Sequence, residues 1–369
     1  MRSIPSIRYS NSSNLARKVA QRLGSRLEKE YTQNHKNFKD GNVEILILDR
    51  RDDPITPLIY NWSYLSLVEE LISIQSNSVE VSGQFKQPQI FSRSSGDSFL
   101  DSNWHSNYGE VSKELSRLQD EMLRKRKVDM SKASLDDMKD MMLKMPELKK
   151  QYSELDKHTK ITQRLSNLID SRALMDLSEL QQDISVENDK GEQMDRVINM
   201  LTNPKIIETD KIKLCMLYCI KYSDDNDRVQ GIKNYMKKKG LKVDHVEKVL
   251  NYCRVEERRT GDFFSKGSNF IMQAFSKLTK ENPNFFERHK PKCVELVEQL
   301  LRGKLNNVDY PQINLRFFND SSRTQENKNV IVFLIGGATY QELRELYKLA
   351  EVERNRILLG SNFVLNSTK

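Results

Sequence analysis

The sequence predicts an α/β domain with a parallel sheet, interrupted by a large all-helical insertion. Two short runs that are wholly or almost wholly apolar, at residues 43–48 and 330–335, each lead through a turn into a segment with helical apolar spacing. Runs of this length suit strands that are covered on both faces, as strands of parallel sheets are. The stretch between the runs is charged and has helical spacing almost throughout. One α/β domain that accommodates a helical insertion explains both halves with the fewest assumptions.

Local spacing predicts the individual elements in order. Ahead of the first run, a four-residue apolar spacing predicts an amphipathic helix that Ser12 or Ser13 can cap. Its stripe consists of Leu15, Val19, Leu23 and Leu27. After the run, two prolines force a turn before helical spacing resumes. A third short strand is predicted at residues 356–359, after the helix that follows the second run.

The chain is long enough for more than one domain. Its 369 residues exceed what a single hydrophobic core usually holds. We expect residues 1–75 to contain a linker helix and the first part of the α/β domain. Residues 76–309 would form a mostly helical inserted domain, with a helical hairpin near residues 130–170. Residues 310–369 would then complete the α/β domain.

Composition narrows the class of protein. The formal net charge of +8 is spread over basic runs that are flanked by acids, and no aromatic residues interleave them. Nucleic-acid binding is therefore the weaker interpretation, and an acidic membrane surface or an acidic protein partner is the more economical one. No stretch approaches the apolar length of a membrane span. Four cysteines in so long a chain do not form a disulfide framework, so we expect a cytoplasmic protein.

The stretch ILILDRRDDPITPLIY at residues 45–60 raises the possibility of an active site. Carboxylates at the end of a parallel strand suit a metal-dependent phosphotransferase with Asp49 as the nucleophile. Arg51 stands where such an enzyme needs a second acid, and Asp52 and Asp53 lie in a turn before Pro54. The favoured interpretation is structural, with Asp49 fixing a turn between strand and helix.

Other common catalytic motifs are missing. The GGAT sequence at residues 336–339 is neither a dinucleotide-binding fingerprint nor a Walker loop, and its glycines need only allow a tight turn. The five histidines have no partners at ligand spacing. Cys215 and Cys219 lie four apart on one helix and suit packing better than zinc binding. We therefore expect no catalytic residues, no metal, no cofactor and no enzyme activity.

A methionine-rich stretch before a proline is the strongest sign of a binding surface. Met138, Met141, Met142 and Met145 directly precede Pro146. Methionine side chains are flexible, so a surface made of them can repack around partner helices. The same apolar stripe could equally pack into a core. Pro146 either begins the next helix or is a hinge in a continuous one. The residues alone leave these alternatives open.

Two blocks of the sequence carry a family resemblance. LILDRRDDPITPLIYNWSYLSLVEELISI, followed far downstream by VIVFLIGGATYQELRELYKL, resembles the hallmark blocks of the Sec-one/Munc-eighteen (SM) family of SNARE-binding membrane-fusion proteins. The linker IRYSNSSNLARKVA and the helical insertion strengthen the match. IGGATY and the ending RILLGSNFVLNSTK most resemble the vacuolar-sorting branch that serves endosomal and trans-Golgi traffic.

The resemblance implies a three-domain arch whose last domain is the helical insertion, and the first domain of the family is absent from this sequence. It further implies a monomer that binds syntaxin-type and R-type SNARE proteins and templates their assembly in vesicle docking and fusion. Such a protein associates peripherally, through its partners, with endosomal, Golgi or vesicle membranes. Pro146 matches the proline that controls whether the family's hairpin is furled or extended. The implied partner-facing strip is Leu143, Met145, Pro146, Leu148, Tyr152, Leu155 and His158.

Overall fold

The computed structural model describes residues 2–34, 38–81, 83–126, 135–187, 189–253, 285–315 and 329–366. The strands are β1 (Arg2–Tyr9), β2 (Phe38–Asp49), β3 (Ser78–Val79), β4 (Gln89–Ile90), β5 (Asn329–Ile335) and β6 (Arg356–Ser361). The helices are α1 (Asn14–Asn34), α2 (Tyr64–Leu71), α3 (Ser98–Asn103), α4 (Tyr108–Arg126), α5 (Leu135–Ser171), α6 (Leu174–Val186), α7 (Lys190–Thr202), α8 (Glu208–Lys221), α9 (Asn226–Lys238), α10 (Asp244–Cys253), α11 (Lys292–Leu301) and α12 (Tyr340–Glu353).

The described residues divide into two compact units. The first unit comprises Met1–Tyr60 and Asp176–Lys369, and the second comprises Asn61–Met175. This division follows the compactness of the chain and is not the three-part organisation expected from the sequence, which stays a prediction.

A four-stranded sheet organises the first unit, with strand order β1-β2-β5-β6 and every neighbouring pair parallel. The register places Leu46 beside Val332 and Asp49 beside Ile335. The two separated apolar runs therefore form the two central strands, β2 and β5, which pair with each other.

Each face of the sheet is covered by helices. On one face, Leu46, Leu48, Val332 and their neighbours pack against α11 and α12 in one buried cluster. On the other face, Ile47 and Ile335 pack against Ala16 and Ala20 of α1. Adjacent strand residues point to opposite faces, so a strand that is apolar at every position near its end requires cover on both.

Strand β1 is an element that the sequence analysis missed. It pairs with β2 at one edge of the sheet, and its register shifts between Ser3 and Pro5. A proline lacks the donor that an interior strand requires, so it is tolerated at an edge or a bulge. The polar and charged residues around Pro5 conceal the strand in the sequence, although Ile7 is fully buried.

A helical hairpin dominates the second unit. Helices α4 and α5 run antiparallel, since the Tyr108 hydroxyl donates to the Thr162 carbonyl and the Tyr152 hydroxyl donates to the Met122 carbonyl. Helix α5 continues through Pro146 without a break, so the proline lies inside one helix and does not begin a new one.

Candidate functional site

The carboxylate at the end of β2 fixes a turn. Asp49 is buried and is the N-cap of the short 3-10 turn Arg50–Asp52. Its side chain accepts hydrogen bonds from Ser13 Oγ at 2.5 Å, Arg51 N at 3.0 Å and Arg51 Nη2 at 2.6 Å. Burial opposes ionisation, but the hydrogen bonds from Arg51 and Ser13 hold the pKa of Asp49 below its ordinary value. Both oxygens are engaged, which supports the structural interpretation over a free nucleophile.

The neighbouring arginine joins the two blocks of the sequence. Arg50 Nη2 donates to both carboxylate oxygens of Glu342 at 2.7 Å and to the Gly337 carbonyl at 2.9 Å. Arg50 Nη1 donates to the Asp53 carbonyl at 2.9 Å. Both side chains of this ion pair are buried. Through Arg50, the charged turn after β2 is hydrogen-bonded to the turn after β5 and to the start of α12.

The remaining acids of the turn also have structural partners. Asp52 accepts hydrogen bonds from Ser10 Oγ and Ser12 Oγ, at 2.6 and 2.9 Å. Asp53 accepts from Thr56 Oγ1 at 2.7 Å and from the amide of Lys292 at 3.0 Å. These carboxylates connect the turn to the segment before α1 and to the first residue of α11 within the first unit.

The Gly336-Gly337 turn contributes close packing. Both glycines have positive φ, 98° and 94°. A Cβ at Gly337 would lie 2.6 Å from Leu365 Cγ, a distance that real contacts do not reach. The first amides of α12 are used internally, because Thr339 and Glu342 form a capping box. The arrangement matches the predicted tight turn. It gives no support to the interpretation of this turn as a nucleotide-binding site.

The structure separates the predicted partner-facing strip into exposed and buried positions. Met145 and Tyr152 are 43% and 40% exposed, Pro146 is exposed, and Leu148 is half-buried. Leu155 and His158 are buried, with exposed fractions of 7% and 0%. The side chain of Leu143 lies outside the described residues. The seven positions therefore do not form one continuous surface, and whether any of them contacts a partner stays a prediction.

A polar network that the sequence analysis missed holds His158 in place. His158 Nε2 donates to Asp97 at 2.9 Å, and His158 Nδ1 accepts from the Tyr64 hydroxyl at 2.8 Å. Lys157 pairs with the same carboxylate. Burial raises the pKa of Asp97, but hydrogen bonds from His158 and the nearby charges outweigh it and hold that pKa far below its usual range. Asp97 also caps α3, so the network ties α5 to α3.

The exposed apolar residues near the hairpin's outer half define what we call the hairpin patch, consisting of Leu123, Met145 and Tyr152. Leu123 of α4 is 56% exposed and follows Met122, whose carbonyl accepts the hydrogen bond from Tyr152. Large apolar side chains from two packed helices are thus presented on one part of the hairpin. Contiguous exposed apolar patches mark sites that bind protein partners, so these three residues are the candidates for such a site.

No helix among the described residues is long and apolar enough to span a bilayer.

A family model described as the Sec1 family matches residues 1–369. The chain belongs to the Sec1 family. This result confirms the resemblance to SM proteins that the two blocks carry.

Relatives in the Sec1 family are longer than this chain. The vacuolar protein sorting-associated protein 45 homolog of Arabidopsis thaliana is 30% identical over 99% of this chain and 65% of its own length. Vacuolar protein sorting-associated protein 45 of Rattus norvegicus is 30% identical over 100% of this chain and 65% of its own length. The chain thus spans less than two thirds of these relatives.

Solved structures confirm the predicted fold class. The SM protein Vps45 in complex with the Qa SNARE Tlg2 matches with a TM-score of 0.82 at 26% identity, over 99% of this chain and 64% of that one. The Unc18-syntaxin 1 complex from Monosiga brevicollis matches with a TM-score of 0.72 at 18% identity, over 99% of this chain and 66% of that one. The second match is a likeness of fold alone.

Proposed function

We propose that this chain is the SNARE-templating part of an SM-type regulator of vesicle docking and fusion. The observation that carries the proposal is the hairpin patch, an exposed apolar surface on two packed helices of a Sec1 family fold. The Vps45 relative whose structure matches over 99% of this chain is bound to a Qa SNARE, which supports the same class of partner here.

The proposed mechanism uses binding energy alone. The helical segment of a SNARE lays its apolar face on the hairpin patch, and a flexible methionine about two turns from the tyrosine accommodates the helices of different partners. Alignment of two such helices on one surface lowers the entropy cost of their assembly. No bond is made or broken, and the protein needs neither a catalytic residue nor a cofactor.

The proposed partners are syntaxin-type and R-type SNARE proteins of endosomal and trans-Golgi traffic. The protein would act as a cytoplasmic monomer that associates peripherally with endosomal, Golgi or vesicle membranes. Similarity to the vacuolar-sorting relatives supports this route of traffic.

The proposal narrows the partner-facing strip to its exposed members. Met145, Pro146, Leu148 and Tyr152 would contact the partner together with Leu123. Leu155 and His158 would contribute by holding α5 in position, because both are buried. Replacing either of them tests the stability of the hairpin base and not the contact itself.

The test measures binding of soluble, labelled SNARE segments to the chain by fluorescence anisotropy. We expect wild type to bind a syntaxin-type segment, an R-type segment or a bundle of the two. The double variant Met145→Asp, Tyr152→Asp should bind at least about tenfold more weakly, because a buried charge replaces two central apolar contacts. Met175→Asp is the control for one added charge, against which each single substitution is also measured, since Met175 is 51% exposed and lies outside the hairpin.

Circular dichroism checks that both variants keep the fold. If the double variant binds as tightly as Met175→Asp, the hairpin patch is not the contact surface. If wild type captures none of the SNARE segments, singly or as a bundle, the proposed function itself is wrong.

A further inference from the structure

The outward face of α1 carries a row of cations that the proposed function does not use. Lys18, Arg22, Arg26 and Lys29 follow one another at spacings of four, four and three, and all four are exposed. At 3.6 residues per turn, these spacings place the four side chains within one narrow arc, along about 16 Å of helix. We call this set the basic row.

The position of the basic row is set by packing on the opposite side of the helix. Ala16, Ala20 and Gly24 are the buried residues of α1. The two alanines pack against the sheet, and Gly24 lies against Ile313 and Leu315. The basic row lies on the opposite face of α1, which points away from the protein. The only acids of α1, Glu28 and Glu30, are partly buried and lie outside that arc. The row therefore has a single sign of charge over its whole length.

The basic row has no stabilising role in the helix. Among the residues that the structure describes, none of its four cations forms an ion pair. Like charges four residues apart destabilise a helix, and the row contains two such pairs, Lys18 with Arg22 and Arg22 with Arg26. By contrast, Lys237 and Lys238 lie in the last turn of α9, where they complement the helix dipole.

We propose that the basic row binds the phosphate groups of anionic lipids, so that the first unit docks directly on an acidic membrane surface. An outward helix face meets a flat surface along its length, and the row offers two guanidinium groups that can bind phosphate in a bidentate way. Leu15 lies on the same arc one turn before Lys18 and is 51% exposed, so its side chain can enter the headgroup layer.

The shape and chemistry of the row favour lipid over nucleic acid. No aromatic residue of α1 lies on the arc, so the row offers no stacking platform for bases. The inference goes beyond the proposed function, in which membrane association runs through SNARE partners. It adds a contact that needs no partner protein.

The test is sedimentation of the full chain with vesicles that contain no protein. Vesicles of phosphatidylcholine alone are compared with vesicles of phosphatidylcholine and phosphatidylserine. We expect retention only on the acidic vesicles, with a loss on raising the salt concentration. Arg22→Gln with Arg26→Gln should weaken retention about 25-fold, at about fivefold for each cation lost from an acidic surface.

Lys237→Gln with Lys238→Gln is the matched control, because both lysines are exposed and the variant loses the same charge. An equal loss of retention in the two variants would mean that overall charge and not the basic row binds lipid, and the proposal would fail. It would fail also if wild type ignored acidic vesicles, or if it bound soluble polyglutamate or single-stranded DNA through the row more tightly than those vesicles.

Thermal unfolding separates this role from a structural one. Neutralising Arg22 and Arg26 removes like-charge repulsion, so the Tm should be unchanged or higher while vesicle retention is lost. A lower Tm with retained vesicle binding would overturn the proposal. Because the vesicles carry no SNARE proteins, neither result depends on the proposed SNARE binding.

Discussion

Single residues from distant parts of the sequence determine how the first unit is joined. Arg50 and Glu342 are 292 positions apart and form a buried ion pair in which both carboxylate oxygens are engaged. The sequence reveals that Asp49 and its neighbours occupy a turn, because carboxylates before a proline are typical of turns. It does not reveal the partner of Arg50, since no periodicity links residues so far apart.

Loss of Arg50 should destabilise the protein strongly. Arg50→Met leaves the carboxylate of Glu342 buried without its partner, and we expect the free energy of unfolding to fall by about 3–5 kcal/mol. Urea denaturation of Arg50→Met and of wild type measures this change in the free energy of unfolding. Adding Glu342→Leu should restore part of the loss, because it removes the carboxylate that paired with Arg50, although the capping box of α12 is lost and buried Asp53 no longer has a nearby cation. Equal stability of Arg50→Met and wild type would contradict the role of the pair.

His158 should make stability depend on pH. Burial lowers its pKa in the folded protein, although Asp97 acts in the opposite direction. The unfolded chain then binds the proton more readily, so stability present above the ordinary histidine pKa, about 6.5, is lost as the pH falls below it. Urea denaturation at several pH values below about 6.5 should show wild type taking up more protons on unfolding than His158→Gln, by at most about one. Identical slopes would contradict the prediction, and exposed His245→Gln is the control.

At the scale of the element, helix α5 shows what an apolar stripe can and cannot predict. The spacing of Leu148, Tyr152 and Leu155 predicts the helix, and the structure has it. The same spacing does not distinguish a face that meets a core from one that meets a partner. Tyr152 is 40% exposed whereas Leu155, three residues further along the same stripe, is buried.

Pro146 should weaken the outer part of α5. Inside a helix, proline removes one hydrogen bond and its ring crowds the preceding turn, at a cost of about 3 kcal/mol. Pro146→Ala should therefore slow amide hydrogen exchange in the turns around residue 146, relative to Glu147→Ala as control. Unchanged exchange in Pro146→Ala would mean that the proline does not limit the stability of this segment.

At the scale of the whole molecule, the sheet explains why the two sequence blocks must occur together. Strand β5 lies between β2 and β6, so the cluster that covers Leu46 and Leu48 of β2 is complete only when the C-terminal strands are in place. The sequence predicts β2, β5 and β6 because their apolar runs are short and end in turns. It conceals β1, whose edge position permits proline and charged residues that an interior strand excludes.

This topology predicts that the chain folds only when both ends are present. A fragment of residues 1–310 retains β1, β2, α1 and α11 but removes part of the cover of Leu46 and Leu48, which also pack against β5 and α12 in the first unit. We expect it to aggregate or to unfold without a cooperative transition. Co-expression with residues 311–369 should restore a soluble complex with cooperative thermal unfolding, since the parallel pairing needs the strands and not the covalent link. The variant Arg50→Met in the long fragment should weaken that complex, because the pair with Glu342 spans the cut. A cooperative transition in the 1–310 fragment alone would show that β5 is not required to cover β2.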